Sequence, residues 1–428
     1  MIAKFLNANC ACQTFDPDLL KAKLESDELL KGLYGQIIES RPNLFSATTV
    51  FISPDQFEAI SSTVNAIEEV TRNPKYRSLV LGRSPLISQL ELGTKGVFMG
   101  YDFHLSDDGP KLIEVNTNAG GALLNLELAK AQQECCQESN VFFKHRDELL
   151  SMDKLFYEMF MHEWELQRGQ TTIGLIAIVD DSPEEQYLYP ELQLFQRLFA
   201  KFGTKAIIAD PKKLHFRDGN LWYDKEKVDM VYNRLTDFYL EEDSHASIRS
   251  AHEQNSIVLT PAPHHHAVYA NKLNLVTLSS ESVLNDFSVS KKAMETLLVG
   301  IPKTEEVTLG NADELWERRR RLFFKPLLGY GSKATYRGEK ITRRVWEEIL
   351  KGQYVAQALI PPSKRVIQKD GEQTDLKVDI RAFVYEGKIQ LLAARLYSGQ
   401  TTNFRTNGGG FAPVFIIQSE SSIHTVDS

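Results

Sequence analysis

Three groups of residues in this chain have the types and spacing to do chemistry. The first lies in YDFHLSDDGPKLIEVN, residues 101–116. A turn centred on Asp108 would pair Leu105 with Lys111 and set Asp102 directly opposite Glu114. Asn116 then follows two residues later on the same sheet face. Two carboxylates opposite each other repel. A divalent cation between them reverses the sign, and carboxylate plus amide oxygen is a hard donor set that suits Mg²⁺ carrying nucleotide phosphates. The other reading of these residues is an exposed acidic hairpin with a solvated face. The second group runs from Lys325 to Thr335. Apolar Leu322-Phe323-Phe324 delivers Lys325 at a strand end, Gly329 and Gly331 let the backbone approach a phosphate, and Ser332 and Lys333 add donors. This is not the P-loop pattern, which needs Gly-Lys-Ser/Thr opening a helix. A bare GxGS run also describes many surface turns, and the lysine emerging from an apolar strand strengthens the phosphate reading. The third group is Arg381, Arg395 and Arg405, the first two embedded in apolar strand sequence (VDIRAFV, LLAARLY). A buried arginine needs an anionic partner. That partner is either a structural carboxylate or the charge of a phosphate or acyl phosphate.

Other features carry less. His264-His265-His266 invites a metal reading, but adjacent side chains point apart in extended structure. A loop near a substrate pocket, after Pro261 and Pro263, is the expectation. Arg318 to Arg321 reads as the solvated end of a helix. Tyr232-Asn233-Arg234 ends a predicted strand, and strand C-termini in open α/β sheets face ligands. Arg234 and Asn233 are therefore substrate candidates, with a plain surface ion pair as the alternative for Arg234, and Asn118, just after KLIEVN, is a third candidate. Asp180 and Asp181 end another strand of the same unit and could face an amine.

The elements that must position these groups are legible in outline. Residues 1–95 read as mostly helical, with PDQFEAISSTVNAIEEVTRN at helical spacing after a Ser-Pro-Asp start. GVFMGYDFHL and KLIEVN are strand-like around an SDDG turn, and helical patterning returns at 122–168. In residues 171–240, TTIGLIAIVD, PELQLFQRLFAKFG and TKAIIAD give strand, helix and strand. A polar hairpin at Asp218-Gly219 and a strand at VDMVYNR follow. That order predicts a parallel sheet. After 285 come a helix (SVSKKAMETLLVG), the lysine strand and its glycine loop. Then come YVAQALI, a hairpin through Glu386-Gly387, a polar loop (TTNFRTNGGG) and a frayed tail.

Composition sets limits. The chain has 428 residues, 42% hydrophobic and 25% charged, with a net charge of −8. That is enough for two or three domains and ordinary for a globular protein. Disorder, collagen and a disulfide scaffold are excluded as the main organisation. An acidic chain with no basic block is a poor nucleic-acid binder. No apolar run approaches the ~20 residues of a membrane span, and no secretory leader is expected. The cysteines, Cys10/Cys12 and Cys135/Cys136, lack the spacing of a zinc knuckle or a thioredoxin-like motif, which points to reduced thiols and a cytoplasmic protein.

Taken together, GIPKT after a lysine-bearing helix, KPLLGYGS, YVAQALI, the arginine-bearing strands and NFRTNGGG resemble the nucleotide-binding part of ATP-grasp enzymes. The acidic segment expected after them stands instead near the start, as DFHLSDDGPKLIEVN. This arrangement resembles the circularly permuted ATP-grasp proteins, namely eukaryotic-type glutathione synthetases and the synthetase domain of glutathionylspermidine synthase. The resemblance covers 98–121 and 285–416. It implies an α/β (α+β), circularly permuted ATP-grasp fold with a parallel-sheet substrate domain. Residues 1–170 would hold a helical part plus the hairpin that completes the ATP-grasp sheet, 171–284 the α/β substrate domain, and 285–428 the nucleotide-binding subdomains and tail.

The resemblance also implies site roles. Asp102, Glu114 and Asn116 would hold Mg²⁺. Lys325 and Lys292 would meet ATP, with Lys291 a competitor for the second place. Gly329, Gly331 and Ser332 would cover the phosphates. Gln357, Ala358 and Leu359 would form the adenine hinge, and Arg395, Arg405 and Asn407 would face the reacting carboxyl and γ-phosphate. Glutathione or spermidine specificity does not transfer, since Gly100 stands where the glutathionylspermidine enzymes carry an arginine. The activity implied is an ATP- and Mg²⁺-dependent carboxylate–amine ligase acting on small-molecule or peptide substrates through an acyl phosphate. An ATP-grasp small-molecule kinase and a non-catalytic nucleotide-binding module are the alternatives. No nucleic acid or membrane partner is expected, and the oligomeric state is open, a homo-oligomer included.

Overall fold

The alternating apolar pattern of LKVDIRAFVYEGKIQLLAARLY folds as two long antiparallel strands, Glu372–Tyr385 and Lys388–Tyr397. Glu386 and Gly387 between them have φ of 48° and 76°, the left-handed pair a two-residue turn between twisted strands requires. In this computed structural model, residues 2–10, 12–132, 146–327, 334–369 and 372–417 are described. Gly329, Gly331, Ser332 and Lys333, the Cys135/Cys136 pair and the tail beyond 417 lie outside them.

The long hairpin sits in a seven-stranded sheet that joins the two ends of the chain. Its order is Val50–Ile52, Gly410–Ile416, Lys388–Tyr397, Glu372–Tyr385, Met99–Ser106 and Gly109–Asn116, with Ser363–Lys369 also pairing Glu372–Tyr385. The hairpin of the first site group thus lies directly against the strand that carries Arg381. One face of this sheet is covered by the Pro54–Thr71 helix through Ile60, Val64, Ile67 and Val70, together with the Lys291–Gly300 helix. Pro54–Thr71 starts where Ser53 and Gln56 close a reciprocal capping box.

The expected parallel sheet forms in the middle of the chain. Val258–Thr260, Met230–Asn233, Ile176–Val179 and Ala206–Ala209 lie side by side, all parallel. The Tyr189–Lys201 helix makes the crossover. The third sheet is small and antiparallel, in the order Thr304–Glu306, Tyr354–Ala358, Leu322–Pro326 and Tyr336–Arg337. It has its own core of Leu315, Leu322, Phe324, Trp346 and Ile349. Among the described residues, no helix is long and apolar enough to cross a membrane.

One buried acid ties these layers together. Glu163, on the Arg146–Arg168 helix, is fully buried. It accepts hydrogen bonds from the Lys95 and Gly96 N–H groups (2.7 and 3.1 Å), Thr260 Oγ1 (2.5 Å) and Tyr385 Oη (2.8 Å). It therefore fixes the segment that enters the hairpin to both larger sheets. Glu163→Ala leaves four donors without an acceptor, three of them buried, and should cost about 3–5 kcal/mol. Urea unfolding checks this, and a loss below about 1 kcal/mol would show that the carboxylate is not a structural tie.

Candidate functional site

The acidic hairpin reaches its expected pairing by an unexpected route. Leu105 faces Pro110, one residue off the anticipated Lys111, because the turn is the tight Ser106-to-Gly109 connection. A register slip of one residue would put Glu114 on the wrong face. Instead Phe103 faces Leu112, Asp102 faces Glu114, and Ile113 is the extra residue of a β-bulge between them. The carbonyl of Ile113, outside the ladder, accepts a hydrogen bond from Lys325 Nζ at 2.7 Å. The early hairpin and the late lysine strand therefore meet.

Lys325 is buried, and its Nζ also donates to Gln357 Oε1 at 2.9 Å. Burial lowers its pKa to about 8, with Glu114 working against the shift and Lys272 adding to it. Around this amine opens a cavity of about 1160 Å³, bounded by the hairpin, the small sheet, the long strands and the loop after Tyr397. Glu114, Asn116, Lys325, Gln357, Ala358, Leu359, Arg395 and Arg405 all line it.

Asp102 is placed differently from its expected role. It is fully buried, and its oxygens accept from Arg381 Nε and Nη2 (both 2.6 Å) and from Arg395 Nη2 (2.8 Å). Burial alone would raise its pKa, but the two guanidinium groups hold it well below the usual carboxylate range. Arg395 Nε in turn donates to Asp379 Oδ1 at 2.7 Å, and Thr402 Oγ1 donates to Asp379 Oδ2. Asp102 is thus the anchor of two cavity-lining arginines, while Glu114 and Asn116 are the metal candidates that line the cavity. Asn116 Nδ2 lies 3.2 Å from Asp102 Oδ2 and 3.3 Å from Glu114 Oε1. Among the described residues, no group of three or more His, Cys, Asp or Glu side chains is placed to hold a metal ion.

The other candidate residues are spread between the cavity wall, the protein surface and the interior. Lys292 is exposed on the Lys291–Gly300 helix, away from the cavity, because the buried face of that helix is set by Ala293 and Leu297. Lys364, Lys377 and Lys272 line the cavity with Lys325, and Lys272 stands between the buried histidine turn and the apolar Leu273–Leu278 helix. That lysine opening an apolar run was the available signal. Asn407 sits exposed in a turn, and Asn403 lines the cavity in its place. At the hinge, the N–H groups of Ala358 and Leu359 already donate to the Lys303 and Arg321 carbonyls (2.8 and 2.9 Å). Finally, the three substrate candidates are not in the cavity wall. Arg234 is buried against Glu191 (3.5 Å) and Tyr232 Oη (2.9 Å), an ion pair as in the alternative reading, though an interior one. Asn118 Nδ2 donates to the Arg234 and Leu235 carbonyls, and Asn233 Nδ2 donates to the Pro261 carbonyl. Asn118 and Arg234, which also donates to the Ala119 carbonyl, dock the segment after the hairpin onto the end of the parallel sheet, and Asn233 ties two strand ends of that sheet together. Glu191 completes that joint by accepting from the N–H groups of Gly121 and Leu123. Gly121 has φ +104°, and a Cβ there would stand 2.4 Å from the Phe411 ring.

The histidine run holds no metal set. His264 Nδ1 pairs with the Ser88 carbonyl (2.8 Å) and His265 Nε2 with the Thr94 carbonyl (2.9 Å). His266 alone lines the cavity. Asp181 pairs with His245 (3.0 Å), and burial pushes the Asp180 carboxyl up to about 7, against the pull of Arg234.

No protein-family model matches the chain, and no curated protein matches it. Among solved structures, a glutathione synthetase-like effector (GSS30) from Globodera pallida is similar over 94% of this chain and 98% of its own. Its identity is 12% and its TM-score 0.54. A putative gamma-glutamylcysteine synthetase from Methylobacillus flagellatus KT matches over 80% of this chain and 84% of its own, at 10% identity and TM-score 0.44. The ATP-grasp ligase PsnB, complexed with a minimal precursor, matches over 57% and 90%, at 9% identity and TM-score 0.30. At 12% identity, the likeness to the effector is one of fold. The chain has the mixed α/β ATP-grasp fold, with the sheet completed by a hairpin from early in the sequence.

The two possible duties of Asp102 separate experimentally. As an arginine anchor, Asp102→Asn strips the buried guanidinium groups of a partner and should cost about 3–5 kcal/mol even in EDTA. As a metal ligand alone, it would leave metal-free stability unchanged in urea titration.

Proposed function

We propose that the chain is an ATP- and Mg²⁺-dependent ligase that joins a carboxylate to an amine through an acyl phosphate. The observation that supports this reading best is the meeting of Lys325 with the Ile113 bulge. It sets a buried cation beside Glu114 in one cavity of an ATP-grasp fold.

The donor chemistry at the hairpin fits Mg²⁺. Glu114 and Asn116 offer hard oxygens, and Mg²⁺ commonly takes one or two protein ligands, with phosphates and water completing its shell. The Asn116 amide presents its oxygen after a simple flip. When bound, Mg²⁺ would neutralise charge on the β- and γ-phosphates. Lys325 and Lys272 supply the fixed cations that hold the triphosphate. The strand Gln357-Ala358-Leu359 borders the base end, and Gly329, Gly331 and Ser332 are proposed to cover the phosphates. Arg395, held rigid by Asp102 and Asp379, is proposed with Arg405 to orient the acceptor carboxylate toward the γ-phosphate. Most of the rate then comes from positioning and from charges fixed before the reaction starts. The substrates are small-molecule or peptide carboxylates and amines.

Binding and turnover both test the reading. Lys325→Ala or Glu114→Ala should weaken Mg-ATP binding at least tenfold by calorimetry. Parent-like binding in both would remove the site. ADP and phosphate should be released only when carboxylate and amine are present together. ADP formed without an amine, leaving a stable phosphorylated product, would make the protein a kinase. The pH dependence has a definite sign. Lys325 loses its proton above about pH 8, so Mg-ATP affinity should fall as pH rises through that value. Lys325→Arg, which stays charged, should flatten the profile between about pH 7 and about pH 9.

A further inference from the structure

The cavity holds more cations than one nucleotide and one carboxylate need. Among the described residues that line it, eight are lysine or arginine and two, Glu114 and Asp379, are carboxylates. Arg381 and Arg395 are neutralised by Asp102 and Asp379, and Lys325 and Lys272 are assigned to the triphosphate. Arg337, Lys364, Lys377 and Arg405 remain.

Three of these four converge on one edge of the cavity. Lys364 and Lys377 stand directly opposite each other on neighbouring strands of the long sheet. Like charges so placed repel. Arg337 comes from the small sheet, opposite Phe323. Burial first, then Arg337 and then Lys340, lower the pKa of Lys377. The partners these three already have are weak. Lys364 meets Asp375 at 3.1 Å, with side chains 68% and 49% exposed. Arg337 Nε lies 3.0 Å from Glu339 without the alignment of a hydrogen bond. Lys377 Nζ donates to the Gly399 carbonyl. Exposed pairs of this kind contribute little and give way to a better-placed anion. Neither Asp375 nor Glu339 lines the cavity.

Position indicates which anion. Lys377, Asp379 and Arg381 share one face of their strand, and all three line the cavity. Asp379 holds Arg395, the residue proposed to orient the acceptor carboxylate. Lys377 is two residues from Asp379, about 7 Å along the strand. The metal candidate is much further away. Lys377 is four residues from Arg381, and Glu114 stands two strands beyond Arg381, a separation on the order of 15 Å. A phosphate on that metal does not reach Lys377, whereas a second charge on the acceptor does.

We propose that Arg337, Lys364 and Lys377 form a seat for a second carboxylate on the acceptor, so that the substrate is a diacid or an acidic peptide and not a simple monocarboxylate. This rests on the ligase reading. The two carboxylates must be separated by a spacer of several bonds, which excludes malonate and shorter diacids.

The test titrates the full chain, loaded with Mg²⁺ and a non-hydrolysable ATP analogue, by calorimetry with ligands that differ by one charge. The pairs are adipate and its monomethyl ester, N-acetyl-Ala-Glu and N-acetyl-Ala-Gln, and N-acetyl-Glu-Ala and N-acetyl-Gln-Ala. In the parent, at least one dianion should bind about tenfold more tightly than its partner. Lys364→Gln together with Lys377→Gln should cut that preference to about twofold or less and leave affinity for the ATP analogue unchanged. Lys377→Arg, which keeps the charge, should keep the preference. A parent that binds no dianion more tightly than its partner, absence of binding included, overturns the assignment. So does a preference that survives the double substitution. Loss of the ATP analogue in the double variant would give these cations to the nucleotide phosphates instead. None of these outcomes touches the ligase reading, which fails separately if Lys325→Ala and Glu114→Ala bind Mg-ATP like the parent.

Discussion

A single inserted residue holds the two halves of the site together. Ile113 is surplus to the pairing of the early hairpin, and its carbonyl, outside the ladder, takes the ammonium of Lys325. The same insertion keeps Glu114 opposite Asp102 despite a turn one residue tighter than the hydrophobic pattern suggests. Without the bulge, the alternation of the strand would turn Glu114 away from Asp102. The bulge thus sets both the face of the acid and the seat of the cation.

In the cavity wall, four charges cancel. Asp102 and Asp379 face Arg381 and Arg395 across adjacent strands, each carboxylate accepting from at least one guanidinium. Burying such a set does not stabilise a fold cheaply, and a well-packed apolar patch often does as well. What the set provides is rigidity. Arginines held at both Nε and Nη2 cannot follow a ligand, so their remaining donors stay fixed for whatever enters the cavity. Asp102 is thus a positioning residue for two arginines of the cavity wall.

Much of this was legible beforehand, for physical reasons. Period-2 runs around Glu386-Gly387 and strand–helix–strand order around Gly203 admit few other folds, and both appear as expected. The opposition of Asp102 and Glu114 was also legible, though the assumed turn was off by one and the bulge made up the difference. Side-chain partners were harder to read. Nothing local says that Asp102 is saturated by arginines 279 and 293 residues away. Nor does the spacing around Arg234 reveal Glu191. Lys292 was expected at the nucleotide from the resemblance, as the lysine of the helix before GIPKT, with Lys291 its competitor. The packing of that helix on Pro54–Thr71 turns the lysine outward, while Lys272 lines the cavity.

The most direct measurement is a crystal structure of the full chain with Mg²⁺ and a non-hydrolysable ATP analogue. The account predicts β- and γ-phosphate oxygens within hydrogen-bond distance of Lys325 Nζ and the metal on Glu114, with the Ile113 bulge retained. A nucleotide bound elsewhere, or one that touches the late strands with the hairpin carboxylate left out of the metal's shell, would contradict it.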